Sequence, residues 1–276
     1  MFKFADDTKI FRHIRDGMDS IKLQKDLDTI TEWADKWQME FNVSKCKVMH
    51  LGKSNPRNAY HMRGNRLSVV EQEKDLGIII SDDLKGSRQC LYAFNKANKV
   101  LGMIRRTIKN KEPKIMMSLY KTLVRPHVEY CSSAWSPLYK KDKELIERIQ
   151  HRFSKMVNNL GSKTYEERIN VLGLWTLEER RNRHDLIELF KMFKGLSRVD
   201  IKEMFLLDEN KKGTRGHCLK LKKTRCTRDI TRHFFSNRVV SRWNLLDQQT
   251  VDAPSLNAFK KRLSWIRNNR MGFFMD

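Results

Sequence analysis

The chain has 276 residues, with 56 Lys and Arg against 33 Asp and Glu, a net charge of +23. Small soluble domains usually carry about 2–8 net charges, so this surface repels itself and attracts polyanions, nucleic acid first and an acidic membrane second. The 12 Gly and 5 Pro are about half the usual share, which favours long helices, and 14 Phe with 6 Trp exclude general disorder.

No apolar run approaches the roughly 18 residues of a membrane span. Asp6 and Asp7 stand where a signal peptide needs an apolar stretch. An intracellular protein, nuclear or cytoplasmic, is expected, with no membrane partner. The five Cys are scattered without a CxxC pair, and His217-Cys218 with Cys226 is the nearest approach to a metal cluster. They read as reduced thiols.

The periodicity predicts an α+β chain with a mixed front and a helical remainder. Phe2-Lys3-Phe4-Ala5 and Thr8-Lys9-Ile10-Phe11 read as strands flanking a tip at Asp6-Asp7. A helix is predicted over 19–38, capped by Asp19 or Ser20, with Leu23, Leu27, Ile30, Ala34 and Trp37 on its buried face. Strands follow at 45–51, 67–70 and 76–81, the last apolar enough to be buried on both faces. From residue 86 the period is helical. Leu91, Phe94, Ala97, Leu101 and Ile104 form one stripe. Pro113 opens a helix carrying Met116, Leu119, Tyr120 and Leu123. Leu145, Ile149, Phe153, Met156 and Leu160 form another stripe, stopped by Gly161, and a helix over 177–193 ends near Gly195. Residues 207–228 read as a polar loop or extended arm. Helices over 230–243 and 254–266 close the chain.

Charge is uneven along this pattern. Residues 1–50 hold nine basic and nine acidic side chains and balance, whereas 211–242 hold eleven basic residues against the single acid Asp229, a net of +10. The eleven are Lys211, Lys212, Arg215, Lys220, Lys222, Lys223, Arg225, Arg228, Arg232, Arg238 and Arg242. They are the candidate nucleic-acid contacts, with His233, Phe234 and Phe235 beside them as possible stacking platforms. The run from Lys220 to Arg225 also matches a weak nuclear-import pattern.

Adjacent carboxylates at a hairpin tip repel unless a cation lies between them. Magnesium takes oxygen ligands and keeps substrate phosphates in its shell, so Asp6 and Asp7 point to phosphoryl chemistry. Ser81-Asp82-Asp83 is a second such pair, and an ordinary surface turn is the plain reading of either.

The company of the first pair separates them. Phe4-Ala5-Asp6-Asp7-Thr8 resembles the Tyr/Phe-x-Asp-Asp motif of reverse transcriptases. Asn42-Val43-Ser44-Lys45 resembles the family's next block, and Lys74-Asp75-Leu76-Gly77 its Leu-Gly primer-grip hairpin. The stretches from Tyr120 to Cys131, Tyr165 to Arg168, Leu172 to Arg181 and Arg232 to Val240 resemble the thumb and C-terminal signatures of jockey-like and chicken-repeat non-LTR retrotransposons.

The resemblance implies an RNA-directed DNA polymerase of a mobile element, using two magnesium ions in the full-length family. Asp6 would bind magnesium, Asp7 would support it, Lys45 would protonate departing pyrophosphate, and Leu76 and Gly77 would shape the primer grip. RNA template, DNA primer and their hybrid would be partners, with deoxynucleotides only in the full-length enzyme. The family's fingers, upstream palm strand and endonuclease precede the Asp-Asp motif, so the 276-residue chain is expected to be a C-terminal fragment, inactive alone. Its expected parts are a partial palm over 1–83, a helical thumb-like region over 84–206 and a basic helical region over 207–276. The alternative is a basic nucleic-acid-binding module without catalysis.

Overall fold

The structure, a computed structural model, describes residues 1–208, 216–226 and 229–275. About 52% of residues are helical and 9% lie in strands, so the chain is α+β and mostly helical. It divides into two compact units, Met1–Lys85 and Gly86–Asp276.

In the first unit, β1 (Phe2–Phe4) and β2 (Asp7–Lys9) pair antiparallel with Phe4 opposite Asp7. Ala5 and Asp6 make the turn, Ala5 at φ 51°. Helix α1 (Gly17–Lys36) starts earlier than the sequence suggests, because the Asp16 carboxylate accepts the Asp19 N–H at 3.0 Å. Asp19 and Ser20 are therefore inside the first turn. Leu23, Leu27 and Ile30 pack on Tyr60, Met62 and Leu67, and Ala34 is fully buried. Trp37 is 62% exposed instead of buried, since the helix ends at Lys36 and Trp37 is its C-cap.

The remaining strands are short: β3 (Lys47–Val48), β4 (His61–Met62), β5 (Asn65–Arg66), β6 (Ser68–Val69), β7 (Gln72–Asp75) and β8 (Ile78–Ser81). With β1 and β2 they form small two-stranded sheets near the N-terminus. Three are antiparallel, and β3 pairs β6 in parallel across a connection that contains the β4–β5 hairpin. A 3₁₀ turn, Val43–Lys45, shortens the strand expected at 45–51. Leu76 and Gly77 also leave the strand expected at 76–81. Both adopt positive φ, 45° and 87°, as a tight two-residue hairpin loop requires. Ile80 is 36% exposed, so β8 is not buried on both faces.

In the second unit, α2 (Ser87–Thr107) buries Cys90, Ala93, Ala97, Leu101 and Ile104. Leu91, expected inside, lies one position out of this stripe and is exposed. Next come α3 (Pro113–Leu119), a π turn over Tyr120–Val124, and α4 (Arg125–Glu129). Pro126 has no N–H for the Thr122 carbonyl and its ring crowds that turn. The chain widens there, and the Arg125 N–H donates to Tyr120. Four-residue steps drift by about 40° each on an ordinary helix. The wide turn offsets the drift, and Met116, Tyr120, Val124 and Val128 are all buried while Leu123 is exposed.

Then follow α5 (Lys140–Met156), α6 (Tyr165–Val171), α7 (Leu177–Phe193), α8 (Ile201–Met204), α9 (Asp229–Arg232), α10 (Phe235–Asn244), α11 (Gln248–Val251) and α12 (Leu256–Asn269). Capping boxes at Thr164–Glu167 and Thr176–Glu179 open α6 and α7. The α5 helix stops at Met156, ahead of Gly161. Leu186 and Phe190 of α7, Val239 and Trp243 of α10, and Phe259 and Leu263 of α12 share one core. Residues on both sides of the division expected near residue 206 bury into this cluster.

The described part of 207–226 is docked rather than a free arm. Leu207 bridges Leu221, the Trp243 indole donates to Leu219 at 2.7 Å, and Leu221 is buried. His217 is buried beside them. The Leu219 N–H donates to Nδ1 at 3.2 Å, so Nδ1 is unprotonated and Nε2 donates to the Trp243 carbonyl at 2.9 Å. Burial pushes the His217 pKa down, the Trp243 bond opposing. All five cysteines are free, and burial raises the Cys90 thiol to about 12.

Two predictions follow from this packing. Buried Gln150 accepts from Tyr120 at 2.8 Å and donates to Tyr165 and Trp175, both at 2.9 Å. Gln150→Leu orphans the Tyr120 hydroxyl and the Trp175 carbonyl, and urea unfolding should show a loss of about 3 kcal/mol. His217 lowered in the folded state stabilises above its ordinary pKa, and that stability is lost as pH falls through the lowered value. Unfolding free energy should drop below pH 6.5, the His217 share sloping by up to about 1.4 kcal/mol per pH unit. His217→Gln should flatten the decline.

Candidate functional site

The Asp-Asp hairpin is built by exposed strands. Asp6 and Asp7 are both exposed, Asp6 in the turn and Asp7 at the start of β2. Phe2 stacks on Phe11 at 5.2 Å, and Lys3 lies over the Trp33 ring at 5.2 Å. Arg12 reaches Asp26 on α1 at 2.7 Å, so the hairpin is tied to that helix.

Strand β7 connects the candidate residues. Residues two apart on a strand face the same side, and Glu73 and Asp75 use that face as two clasps. Asp75 holds Lys9 of β2, and Glu73 holds Lys47 of β3 at 2.7 Å. Leu76 and Gly77 follow directly at the hairpin tip. The Asp6-Asp7 hairpin, the segment after Lys45 and the Leu76-Gly77 turn are thereby gathered on one strand. Lys45 itself is exposed in its 3₁₀ turn. Asp82 and Asp83 lie at the opposite end of the β7–β8 hairpin, where Asp83 accepts the Lys85 N–H at 3.0 Å.

Two exposed carboxylates are a donor set that suits magnesium, which commonly takes one or two carboxylates and completes its shell with water and phosphate oxygens. Among the described residues no group of three or more His, Cys, Asp or Glu gathers around a common point.

The basic region separates into two kinds of residue. Lys211, Lys212, Arg215 and Arg228 lie outside the described residues. Lys222, Lys223, Arg225 and Arg232 are exposed, and Lys220 is half-buried. Arg238 is a correction. It pairs bidentate with Asp185 at 2.7 and 2.9 Å, and it also donates to the carbonyls of Ser132, Ser133 and His233. Asp185 is only 2% exposed, and burial raises its pKa although Arg238 opposes this. With its donors occupied inside the protein, Arg238 is not a phosphate contact. Arg242 is half-buried and donates to the Phe273 carbonyl at 3.2 Å. Phe235 belongs to the core and Phe234 is 40% exposed, which leaves Phe234 as the ring open to a base.

The clasps Glu73 and Asp75 escape sequence reasoning. Only their two-residue spacing beside Leu76-Gly77 signals them. No protein-family model, curated protein or solved structure matches the chain. Among the described residues no helix is long and apolar enough to cross a membrane.

Arg238→Ala leaves the buried Asp185 charge without its partner. It should lower unfolding free energy by about 3–5 kcal/mol in chemical denaturation. Replacing Lys222, Lys223, Arg225 and Arg232 together by Ala should leave stability within about 1 kcal/mol of the parent, since all are exposed.

Proposed function

We propose that the chain is the C-terminal part of an RNA-directed DNA polymerase of a non-LTR retrotransposon, jockey-like or chicken-repeat in kind. Its partners are an RNA template and a DNA primer. Its helical unit holds nucleic-acid backbone, and its front unit presents the primer end to the Asp6-Asp7 hairpin. The observation that carries the reading is the convergence on β7. Lys9 of the Asp-Asp hairpin pairs with Asp75, the residue before the Leu-Gly turn, which supports a primer terminus held by elements of one small unit.

Magnesium held by Asp6 and Asp7 supplies charge neutralisation at a transferring phosphoryl group. Lys45 is the proposed acid for the leaving group. The Leu76-Gly77 turn receives the primer strand. Exposed Lys222, Lys223, Arg225 and Arg232 meet phosphates without choosing sequence. Two carboxylates are a partial ligand set, so the 276-residue chain by itself is expected not to extend a primer.

The second reading, a non-catalytic nucleic-acid-binding module, is favoured by the exposed cations alone. A photoreactive nucleotide at the primer 3′ end of an RNA/DNA hybrid separates the two. The polymerase reading predicts crosslinks within residues 2–9 and 72–81. Crosslinks confined to the helical unit would remove that reading and leave the binding module.

A further inference from the structure

A cleft of about 360 Å³ opens in the helical unit, at the lower end of the size of small-molecule sites. Lys121 from the π turn, Arg125 from α4, and Arg180, Arg181 and Arg183 from α7 line it, with Glu129 as the acid among them. Glu129 is already shared. It accepts from Arg180 at 3.0 Å and lies 3.4 Å from Arg125. Among the described residues Lys121, Arg181 and Arg183 form no ion pair.

Arg181 is the decisive group. It is 95% removed from solvent (5% exposed), and its guanidinium lies 5.2 Å from the Trp135 ring centre. One Nη donates to the Val128 carbonyl at 2.8 Å, but Nε is buried with no hydrogen-bond partner. Burial pushes the Arg181 pKa down and the charges of Glu147, Glu129 and Asp185 oppose this only in part, so a further anion in the cleft would stabilise the cation. Arg183 carries a second buried Nε without a partner. Burial and then the Arg180 charge push the Arg125 and Arg183 pKa values down, so these cations repel one another across the cleft.

We infer that this cleft binds a phosphate group. Five cations against one shared carboxylate leave a charge that a single further carboxylate cannot balance. Phosphate offers several strong acceptor oxygens around one centre, and arginine matches that geometry with forked donors. The Lys121 ammonium stands on one side of the cleft and the arginines of α7 line another. The phosphate comes either from a nucleic-acid backbone or from a free phosphate monoester. The first source extends the proposed function to a second contact point on the helical unit, distinct from the exposed cations at 222–232.

Calorimetric titration of the full chain with inorganic phosphate, at pH 7 and fixed ionic strength, tests this. Saturable binding is expected, weakened about tenfold or more by Lys121→Glu, an exposed position whose replacement leaves the core intact. Arg181→Gln should weaken it at least as much. A short single-stranded oligonucleotide that competes with phosphate identifies the backbone as the source, and one that does not identifies the free monoester. Absence of saturable binding, binding unchanged by Lys121→Glu, or binding of polyglutamate in preference to phosphate would overturn the proposal. Alanine at Lys222, Lys223, Arg225 and Arg232 should leave phosphate binding unchanged, so failure here leaves the reading of those exposed cations untouched.

Discussion

The Asp185–Arg238 pair is the constraint on which the helical unit rests. Several acids inside the helical unit join segments distant in sequence. Asp185 on α7 fixes Arg238 on α10, and Arg238 in turn binds the carbonyls of Ser132 and Ser133. Glu147 on α5, its pKa raised by burial, accepts the Leu177 N–H at 2.8 Å at the start of α7 and also the Tyr165 hydroxyl. Glu179 takes Arg267 of α12 in a fork at 2.9 Å. Removing one partner of such a pair strands a charge in low dielectric, which costs far more than an exposed pair contributes. The arginines used in this way are structural. Lys222, Lys223, Arg225 and Arg232 face solvent, and Lys121 and Arg183 line the cleft beside α7.

The front unit solves a different problem. It has little core, and its strands are too short to make a continuous sheet. Charge pairs between exposed groups contribute only about 0–1 kcal/mol each. Glu73 and Asp75 therefore act less as sources of stability than as guides that bring Lys47 and Lys9 to one strand face. That placement ties the open end of the Asp6-Asp7 hairpin, at Lys9, to Asp75, the residue before the Leu76-Gly77 turn. Phe2, Phe4 and Phe11 are each above 60% exposed, and Phe2 and Phe11 stack on each other at the open end of the hairpin.

Much of this was legible where local physics decides. The α7 helix, Leu177–Phe193, has the bounds that its period suggests. Other features depend on partners distant in sequence. Arg238 looks like any residue of the basic run until Asp185, 53 positions away, is placed against it. Leu91 and Trp37 fit helical spacing, yet each falls off the buried face, one by phase and one by helix termination. The π turn at Tyr120–Val124 follows from Pro126, but its consequence for which residues are buried needs the neighbouring helices. The charge of the 211–242 stretch was visible, whereas its division into clasped and exposed members was not.

The central claim is that the exposed cations of the helical unit hold a nucleic-acid backbone through its phosphates. Its most direct test is the salt dependence of binding to a labelled RNA/DNA hybrid. Each neutralised phosphate contributes about 0.7–0.9 to the slope of log K against log salt. With Lys222, Lys223, Arg225 and Arg232 exposed, the account predicts a slope of about −3 or steeper for the intact chain. Substituting these four by Ala should make it shallower by nearly that amount. A slope near zero, or one that the four substitutions leave unchanged, would contradict it.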